Sequence, residues 1–343
     1  MHAQLSRCQY KPFLYFCRIQ KRRTVNTLEQ EFQQILAHKQ PDNLYQPIFY
    51  TLMQSGKRLR PKLVHLAVEM LGGDADEAQK VAMAFEMLHN FTLIHDDIMD
   101  VAPIRRGKDT VYKKWNSNIA ILSGDALAIM AFQQLLRLNC DKQVIIDIAK
   151  VFSQTSLEIC EGQQYDLDFE TQQVVTIDEY LNMICKKTAV MFAGCMKSGA
   201  ILAGADEQNQ QYLYNMGINL GIAFQLADDV LDVYASTPAF GKTIGGDIRD
   251  NKKTYLYLMA LQQANPEQKI TLEDLFARPT TDFEQKYKIV RGIYDDLNIK
   301  SQTDEQVRKY VNLCLQDLDK IQVAEERKTT IKELILKLID REK

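Results

Sequence analysis

The chain is short of the residues that interrupt helices. It has 15 glycines and 8 prolines among 343 residues, where frequencies near 7% and 5% are ordinary. Sheet-rich folds need turn residues about every ten positions, so this shortage argues against a sandwich, barrel or propeller. Residues 104–237 hold no proline, and no Gly/Ser- or Pro-rich linker divides the sequence. An excess of one charge is missing too. The 42 basic residues face 45 acidic ones for a net charge of −3, so no nucleic-acid partner is expected. No apolar run reaches the roughly 18 residues that cross a bilayer, and no membrane span is expected. The seven cysteines are scattered and form no CxxC pair. That suits reduced thiols and a cytoplasmic location better than a disulfide framework or a zinc site.

What the chain does have is apolar and helical. Its 46% hydrophobic content excludes collagen-like and disordered classes, because it can bury a core. Length alone suggests about two domains, but the absence of a linker favours one all-α domain over residues 25–343. Residues 1–24 carry Arg7, Lys11, Arg18, Lys21, Arg22 and Arg23 without an acid. They read as a disordered basic extension, a transit peptide or the product of an early start codon. Arg18 interrupts any apolar core of a secretory signal. Apolar spacing predicts helices over 74–101, opened by Asp74 and stopped by Pro103, and over 118–138, 142–169, 176–204 and 206–234. Gly245-Gly246 predicts a loop, and amphipathic stretches resume at 248–264, 282–300, 303–321 and 325–342. No fixed-period repeat is present, so a solenoid is disfavoured. Several helices of 20 or more residues imply a bundle with room for a site in its core.

Two aspartate clusters carry chemistry. Asp96-Asp97-Ile98-Met99-Asp100 closes the 74–101 helix. Asp96 and Asp100 fall one turn apart on one face, about 6 Å along the axis. An acidic cluster at a helix end is ordinarily a solvated face. Here the run before it, Phe91-Thr92-Leu93-Ile94, is apolar, and acids at a helix C-terminus oppose the macrodipole. Asp228-Asp229-Val230-Leu231-Asp232 repeats the spacing late in a second apolar helix. Six carboxylates facing one another need cations, and carboxylate oxygens select Mg²⁺ shared with substrate phosphates.

Cationic ligands for such a polyanion are present near both clusters. Lys57 and Arg60 lie in Gly56-Lys57-Arg58-Leu59-Arg60-Pro61, ahead of a helix. Arg105-Arg106-Gly107 follows the first cluster, Lys186-Lys187-Thr188 lies within the 176–204 helix, and Lys242 and Lys252 bracket the loop after the second cluster. Each alone reads as a solvated surface charge, and their position beside the aspartates changes that. Arg forks suit phosphate oxygens, and Lys supplies point charges. His89 lies two turns before Asp96, placed for a substrate hydrogen bond or for core packing.

The series GKRLRP (56–61), HNFTLIHDDIMD (89–100), IRRGKDT (104–110), GDALA (124–128), GQQYD (162–166), KKT (186–188), FQLADDVLD (224–232) and GKTIGGDIRDNK (241–252) resembles the trans-isoprenyl diphosphate synthases of the polyprenyl synthetase family. The resemblance implies an all-α fold of antiparallel helices around a deep cavity, usually as a homodimer. It implies that Asp96, Asp100 and Asp228, supported by Asp97, Asp229 and Asp232, hold three Mg²⁺ on an allylic diphosphate, with Mn²⁺ able to substitute. Arg105, Lys187 and Lys242 would bind that diphosphate. Lys57, Arg60, His89 and Arg106 would bind isopentenyl diphosphate, while Thr188 and Gln225 line the cavity near the reacting carbons. Lys252 matches a lysine late in the family's loop, and the GKTIGGD run is one residue longer than in some members.

The implied reaction is ionisation of the allylic C–O bond, attack by isopentenyl diphosphate and loss of a proton. It needs no nucleophilic triad, and none is visible. The growing chain would pass Thr92 and Phe91, four and five residues before Asp96 and about 6–7.5 Å deeper. Within the resembled family one aromatic there accompanies C20 products, two accompany C15 and none accompanies longer chains. Geranylgeranyl diphosphate is therefore expected, with farnesyl diphosphate or a longer polyprenyl product as alternatives. A terpene cyclase would share the aspartates but not need Lys57, Arg60 and Arg106. A non-catalytic subunit would be expected to lose aspartates, and both clusters here are intact.

Overall fold

The computed structural model describes residues 28–235, 244–277 and 282–339. The basic segment 1–24 and Lys242 lie outside the described residues. Residues 28–36 form α1, followed by α2 (Asp42–Leu52), α3 (Leu59–Leu71) and α4 (Ala75–Met99). A two-stranded hairpin, β1 (Ile104–Arg105) and β2 (Lys108–Asp109), precedes α5 (Val111–Lys114), α6 (Ser117–Leu135) and α7 (Lys142–Thr171). Next come α8 (Ile177–Ile184), a π-helical turn (Cys185–Ala189), α9 (Val190–Leu202) and α10 (Glu207–Tyr234). The remaining helices are α11 (Gly246–Arg249), α12 (Tyr255–Gln263), α13 (Pro266–Ala277), α14 (Phe283–Asp296), α15 (Ile299–Lys320) and α16 (Glu325–Ile339). The fold class is all-α, as the scarcity of turn residues implied.

Helix starts follow local chemistry. Asp74 accepts from the backbone N–H groups of Asp76 and Glu77, satisfying donors that the first turn leaves open. Asp141 and Asp206 cap α7 and α10 in the same way. Thr176 and Glu179 form a reciprocal capping box on α8.

The chain divides into two compact units. One comprises residues up to 58, 87–103 and 109–130. Its core includes Phe32, Ile48, Leu52, Ile94 and Leu127, all buried. Within it the Ser123 hydroxyl donates to the Leu44 carbonyl, tying α6 to α2. The other unit comprises residues 59–86, 104–108 and 131 onward. There α10 packs on α9 and α15, and α9 also packs on α3 and α7. Gly217 and Gly221 allow the close approach of α10, since a β-carbon at either would collide with the backbone of Ala193 or Ala189.

Three boundaries depart from the sequence-based expectation. The 176–204 helix is present but loosens into a π-turn over Cys185–Ala189. The loop expected at Gly245-Gly246 contains a single helical turn, because Gly245 takes a left-handed backbone (φ 75°) that lets α11 start. The stretch 248–264 is broken at 250–254, with Asn251 at φ 57°. One helix among the described residues, α6, is long and apolar enough by length and composition to cross a membrane; 44% of its apolar window is buried in the protein. Ile121, Leu122, Ile129 and Phe132 are exposed along it.

Candidate active site

In the first unit, α4 carries Phe91, Thr92 and the first aspartate cluster. The helix ends at Met99, and Asp100 still donates its N–H to the Asp96 carbonyl at 2.8 Å. Val101 then turns left-handed (φ 49°) and Pro103 follows, so the termination falls where the sequence placed it. Asp100 is exposed and Asp96 half-exposed, whereas Asp97 is only 4% exposed. The split follows from helical geometry: positions i and i+4 share a face that i+1 does not. Burial and the nearby Asp97 charge raise the Tyr112 hydroxyl above its ordinary pKa.

One turn beyond Phe91 stands His95, with the two rings edge to face at 4.8 Å. The His95 Nε2 faces the Ile121 carbonyl at 3.2 Å and lies 3.7 Å from an Asp125 carboxylate oxygen. A β-carbon at Gly124 would strike that imidazole. Sequence reasoning quoted His95, Gly124 and Asp125 within motifs but gave them no task. Their signal was the i, i+4 spacing of Phe91 and His95.

In the second unit the three aspartates of α10 have different surroundings. Asp228 is half-exposed, and Asp229 is 3% exposed. Tyr180 of α8, equally buried, donates its hydroxyl to Asp229 Oδ2, and Gln225 Nε2 donates to Asp229 Oδ1 at 3.1 Å. The Thr188 hydroxyl donates to Gln225 Oε1 at 3.1 Å. Asp232 accepts from the Asp247 N–H at 3.0 Å, and its carbonyl accepts from Gly245 N–H at 2.6 Å. Burial first, then the charges of Asp247 and Asp228, push the Asp229 carboxyl well above the usual carboxylate range against the two donors.

The π-turn holds Lys186, Lys187 and Thr188. Lys187 Nζ contacts an Asp166 carboxylate oxygen at 2.6 Å, giving the GQQYD motif a physical role. Lys186 pairs with Glu161. Gly162 is forced, since a β-carbon there would overlap the backbone of Lys186 and Lys187. Such π-turns recur at functional sites because the extra residue re-aims side chains. No spacing signal in the sequence announced this one.

The basic residues of 56–61 separate. Lys57 is exposed on the approach to α3, while Arg60 lies in the helix's first turn rather than ahead of it. Arg60 stacks its guanidinium over the Phe192 ring at 5.0 Å. Burial pulls Arg60 below its ordinary pKa, Glu86 opposes that shift, and the neighbouring Arg106 adds to it. Arg60 and Arg106, assigned to one substrate from sequence, are therefore electrostatic neighbours. Arg58 serves the backbone, donating to the carbonyls of Leu52 and Gln54. Arg105 sits half-buried on β1, and Lys252 is half-buried after α11. His89 is half-buried on α4, its carbonyl accepting from the Thr92 hydroxyl at 2.8 Å.

Among the described residues no three His, Cys, Asp or Glu side chains converge as a ready-made metal cage. The donor set nonetheless fits a hard divalent cation. The charges of Asp247 and Asp228 are felt at Asp229, and Asp232 accepts from the Asp247 N–H; all four offer oxygen, the donor Mg²⁺ prefers. Asp247 was missed in the sequence reading because GGDIRD was quoted for its glycines.

The polyprenyl synthetase family model matches residues 41–293 of the chain. The chain belongs to the polyprenyl synthetase family. It is 42% identical over 230 residues to a geranylgeranyl diphosphate synthase of Methanosarcina mazei, covering 67% of this chain and 71% of that protein. A geranylfarnesyl diphosphate synthase of Natronomonas pharaonis is 37% identical over 241 residues, 66% of this chain and 71% of its own length. The crystal structure of a geranylgeranyl pyrophosphate synthase superposes with a TM-score of 0.89 at 41% identity, over 94% of this chain and 99% of that one. The motifs that carried the resemblance lie from Gly56 to Lys252, inside the span matched by this prenyltransferase family model.

Proposed function

We propose that the chain condenses isopentenyl diphosphate head-to-tail with an allylic diphosphate, with geranylgeranyl diphosphate as the product. The observation that carries this reading is the pairing of two aspartate clusters with two sets of cations in the family's order. Asp96, Asp100 and Asp228, supported by Asp97, Asp229 and Asp232, hold Mg²⁺, three ions per site, on the allylic diphosphate. Bound Mg²⁺ supplies Lewis-acid stabilisation of the departing pyrophosphate. Arg105, Lys187 and Lys242 bind the same diphosphate, and Lys252 assists. Lys187 pairs with Asp166, so substrate competes with that carboxylate for the ammonium group.

Lys57, Arg60, His89 and Arg106 hold isopentenyl diphosphate. The Arg60–Arg106 proximity suits a dianionic group, since two neighbouring cations are stabilised by an anion between them. Thr188 and Gln225 border the reacting carbons, where hydroxyl and amide oxygens stabilise an allylic cation better than bulk water, which would trap it. Residues 25–343 act as one catalytic domain in this reading.

Product length rests on Phe91 and Thr92. A single bulky ring one turn or more below Asp96 leaves room for a C20 chain. The Natronomonas relative, named for a longer product, keeps a C25 outcome as the second reading. Exposed apolar residues on α6 (Ile121, Leu122, Ile129, Phe132) support burial against a second copy, and hence a homodimer. The reading is of a cytoplasmic enzyme; the five described cysteines are unbridged. Isopentenyl diphosphate supplied with C5, C10 or C15 primers, with and without Mg²⁺, should give mainly C20 by mass. Products mainly of C30 or longer reject the C20 assignment, and turnover of the primer without isopentenyl diphosphate rejects the synthase reading in favour of a cyclase.

A further inference from the structure

Four polar side chains of the second unit form one continuous run of hydrogen bonds. The Thr188 hydroxyl donates to Gln225 Oε1, Gln225 Nε2 donates to Asp229 Oδ1, and Tyr180 donates to Asp229 Oδ2. The two ends differ in exposure: Thr188 and Gln225 are half-exposed, while Asp229 and Tyr180 are each 3% exposed. Both oxygens of Asp229 are thus engaged by protein donors.

The polarity of this run is fixed from its buried end. Asp229 Oδ1 accepts whether the carboxyl is charged or neutral, because a proton would sit on Oδ2 against the Tyr180 oxygen. Gln225 must then turn its NH₂ toward Asp229 and its carbonyl toward Thr188. The Thr188 hydrogen is committed to that carbonyl, so the Thr188 oxygen offers only lone pairs to whatever lies beside it. A reversed amide would turn Thr188 from donor to acceptor within the run and point a hydrogen outward, the wrong sign beside a developing carbocation.

We infer that Asp229, grouped under the proposed function with the carboxylates that support the Mg²⁺ site, gives that support not as a ligand but by forming, with Tyr180, an internal mount that orients Gln225 and Thr188 toward the reacting carbons. Tyr180 is a positioning residue that touches no substrate. The cluster DDVLD then divides its labour, with Asp228 left for the cation and Asp229 for the amide. The orientation toward reacting carbons rests on the synthase reading, whereas the assignment of Asp229 does not.

The test compares the full-length variants Asp229→Asn, Asp229→Leu, Tyr180→Phe and Asp228→Asn. Asparagine at 229 can still accept from Gln225 and donate to the Tyr180 oxygen, while leucine can do neither. Calorimetric titration of Mg²⁺ into protein holding inorganic pyrophosphate should give Asp229→Asn the wild-type affinity, with Asp228→Asn weaker by tenfold or more. In steady-state assays Tyr180→Phe should lower kcat about tenfold, with KM for both diphosphates within about twofold. Asp229→Leu should lose more kcat than Asp229→Asn. Weakening of Mg²⁺ binding in Asp229→Asn to match Asp228→Asn would overturn the inference, as would a wild-type kcat in Tyr180→Phe. If wild-type protein transfers no prenyl group, the synthase reading fails, and the calorimetry alone still decides what Asp229 does. Should Asp229→Leu not fold, Tyr180→Phe and Asp229→Asn carry the test between them.

Discussion

At Asp96–Asp100 the helix runs out under its own motif, whereas Asp228–Asp232 lies wholly within α10, which continues to Tyr234. The first cluster ends in an exposed Asp100, a left-handed Val101 and a proline two residues on. The second is boxed in: Tyr180 and Gln225 hold Asp229, while Gly245 and Asp247 bond Asp232. The Tyr287 hydroxyl adds a bond at 2.6 Å to the Val233 carbonyl just beyond. One spacing of aspartates therefore sits once at a helix terminus and once within a hydrogen-bonded frame. The difference suggests that the first cluster follows the substrate and the second fixes where the chemistry occurs.

The strongest way to break that comparison is to neutralise one carboxylate in each cluster. Asp228→Asn should lower kcat by about 10²–10³, the cost of losing one preorganised electrostatic group. Asp100→Asn should cost less, because an exposed carboxylate competes with water and salt for its cation. Equal losses at saturating Mg²⁺ would mean the rigid setting of the second cluster has no catalytic consequence.

Next in size is Gly162→Ala. The new β-carbon meets the backbone of Lys186 and Lys187, so α7 and the π-turn must part. Displacing Lys187 and Thr188 by even 1 Å should cost about 10² in kcat. Overpacking of this kind also destabilises by about 1–3 kcal/mol, readable as a lower melting temperature. Full activity in a destabilised Gly162→Ala would show that the π-turn tolerates movement and that the second site is not rigid.

In the first unit the corresponding lever is product length rather than rate. Phe91→Ala should lengthen the product by at least one C5 unit, read by mass spectrometry. Gly124→Ala should act on the same ring from behind, by pushing the His95 imidazole that packs edge to face on Phe91. A shift in product distribution without loss of Mg²⁺ affinity is expected. An unchanged distribution in both variants would place the floor of the chain elsewhere.

Much of this was legible in the sequence, for reasons that can be named. The fourth helix opened after Asp74 and stopped ahead of Pro103 as the sequence indicated, because capping and chain-breaking are local chemistry. The aspartates and cations were visible because a helical repeat of charge in an apolar run is costly without a partner. Three features were not readable. The π-turn over Cys185–Ala189 depends on α7 pressing through Gly162 and α10 through Gly221, which are contacts between segments far apart in sequence. The burial of Asp97 and Asp229 follows from which face of each helix meets its neighbours, which spacing alone leaves open. The task of Tyr180 appears only when α8 is laid against α10.

The smallest expected effect tests how far the frame around the second cluster extends. Lys253 donates to the carbonyls of Phe169 and Gln172 at the end of α7. Those carbonyls have no partner inside the helix, and a cation there complements the helix dipole. The same lysine follows the segment 247–252, whose Asp247 N–H bonds Asp232. Burial lowers the Lys253 pKa, so the ammonium is held against a desolvation cost that the two carbonyls offset. Lys253→Met keeps the aliphatic stem and removes the donors, and should cost about 1–2 kcal/mol of stability. Because the segment stays tied to Asp232 by its backbone, kcat should fall by less than threefold, about 0.65 kcal/mol at RT ln 3. A loss of activity larger than the loss of stability explains would mean that the rigid region reaches through Lys253 to the end of α7. That outcome would enlarge the contrast with the C-terminal end of α4 rather than remove it.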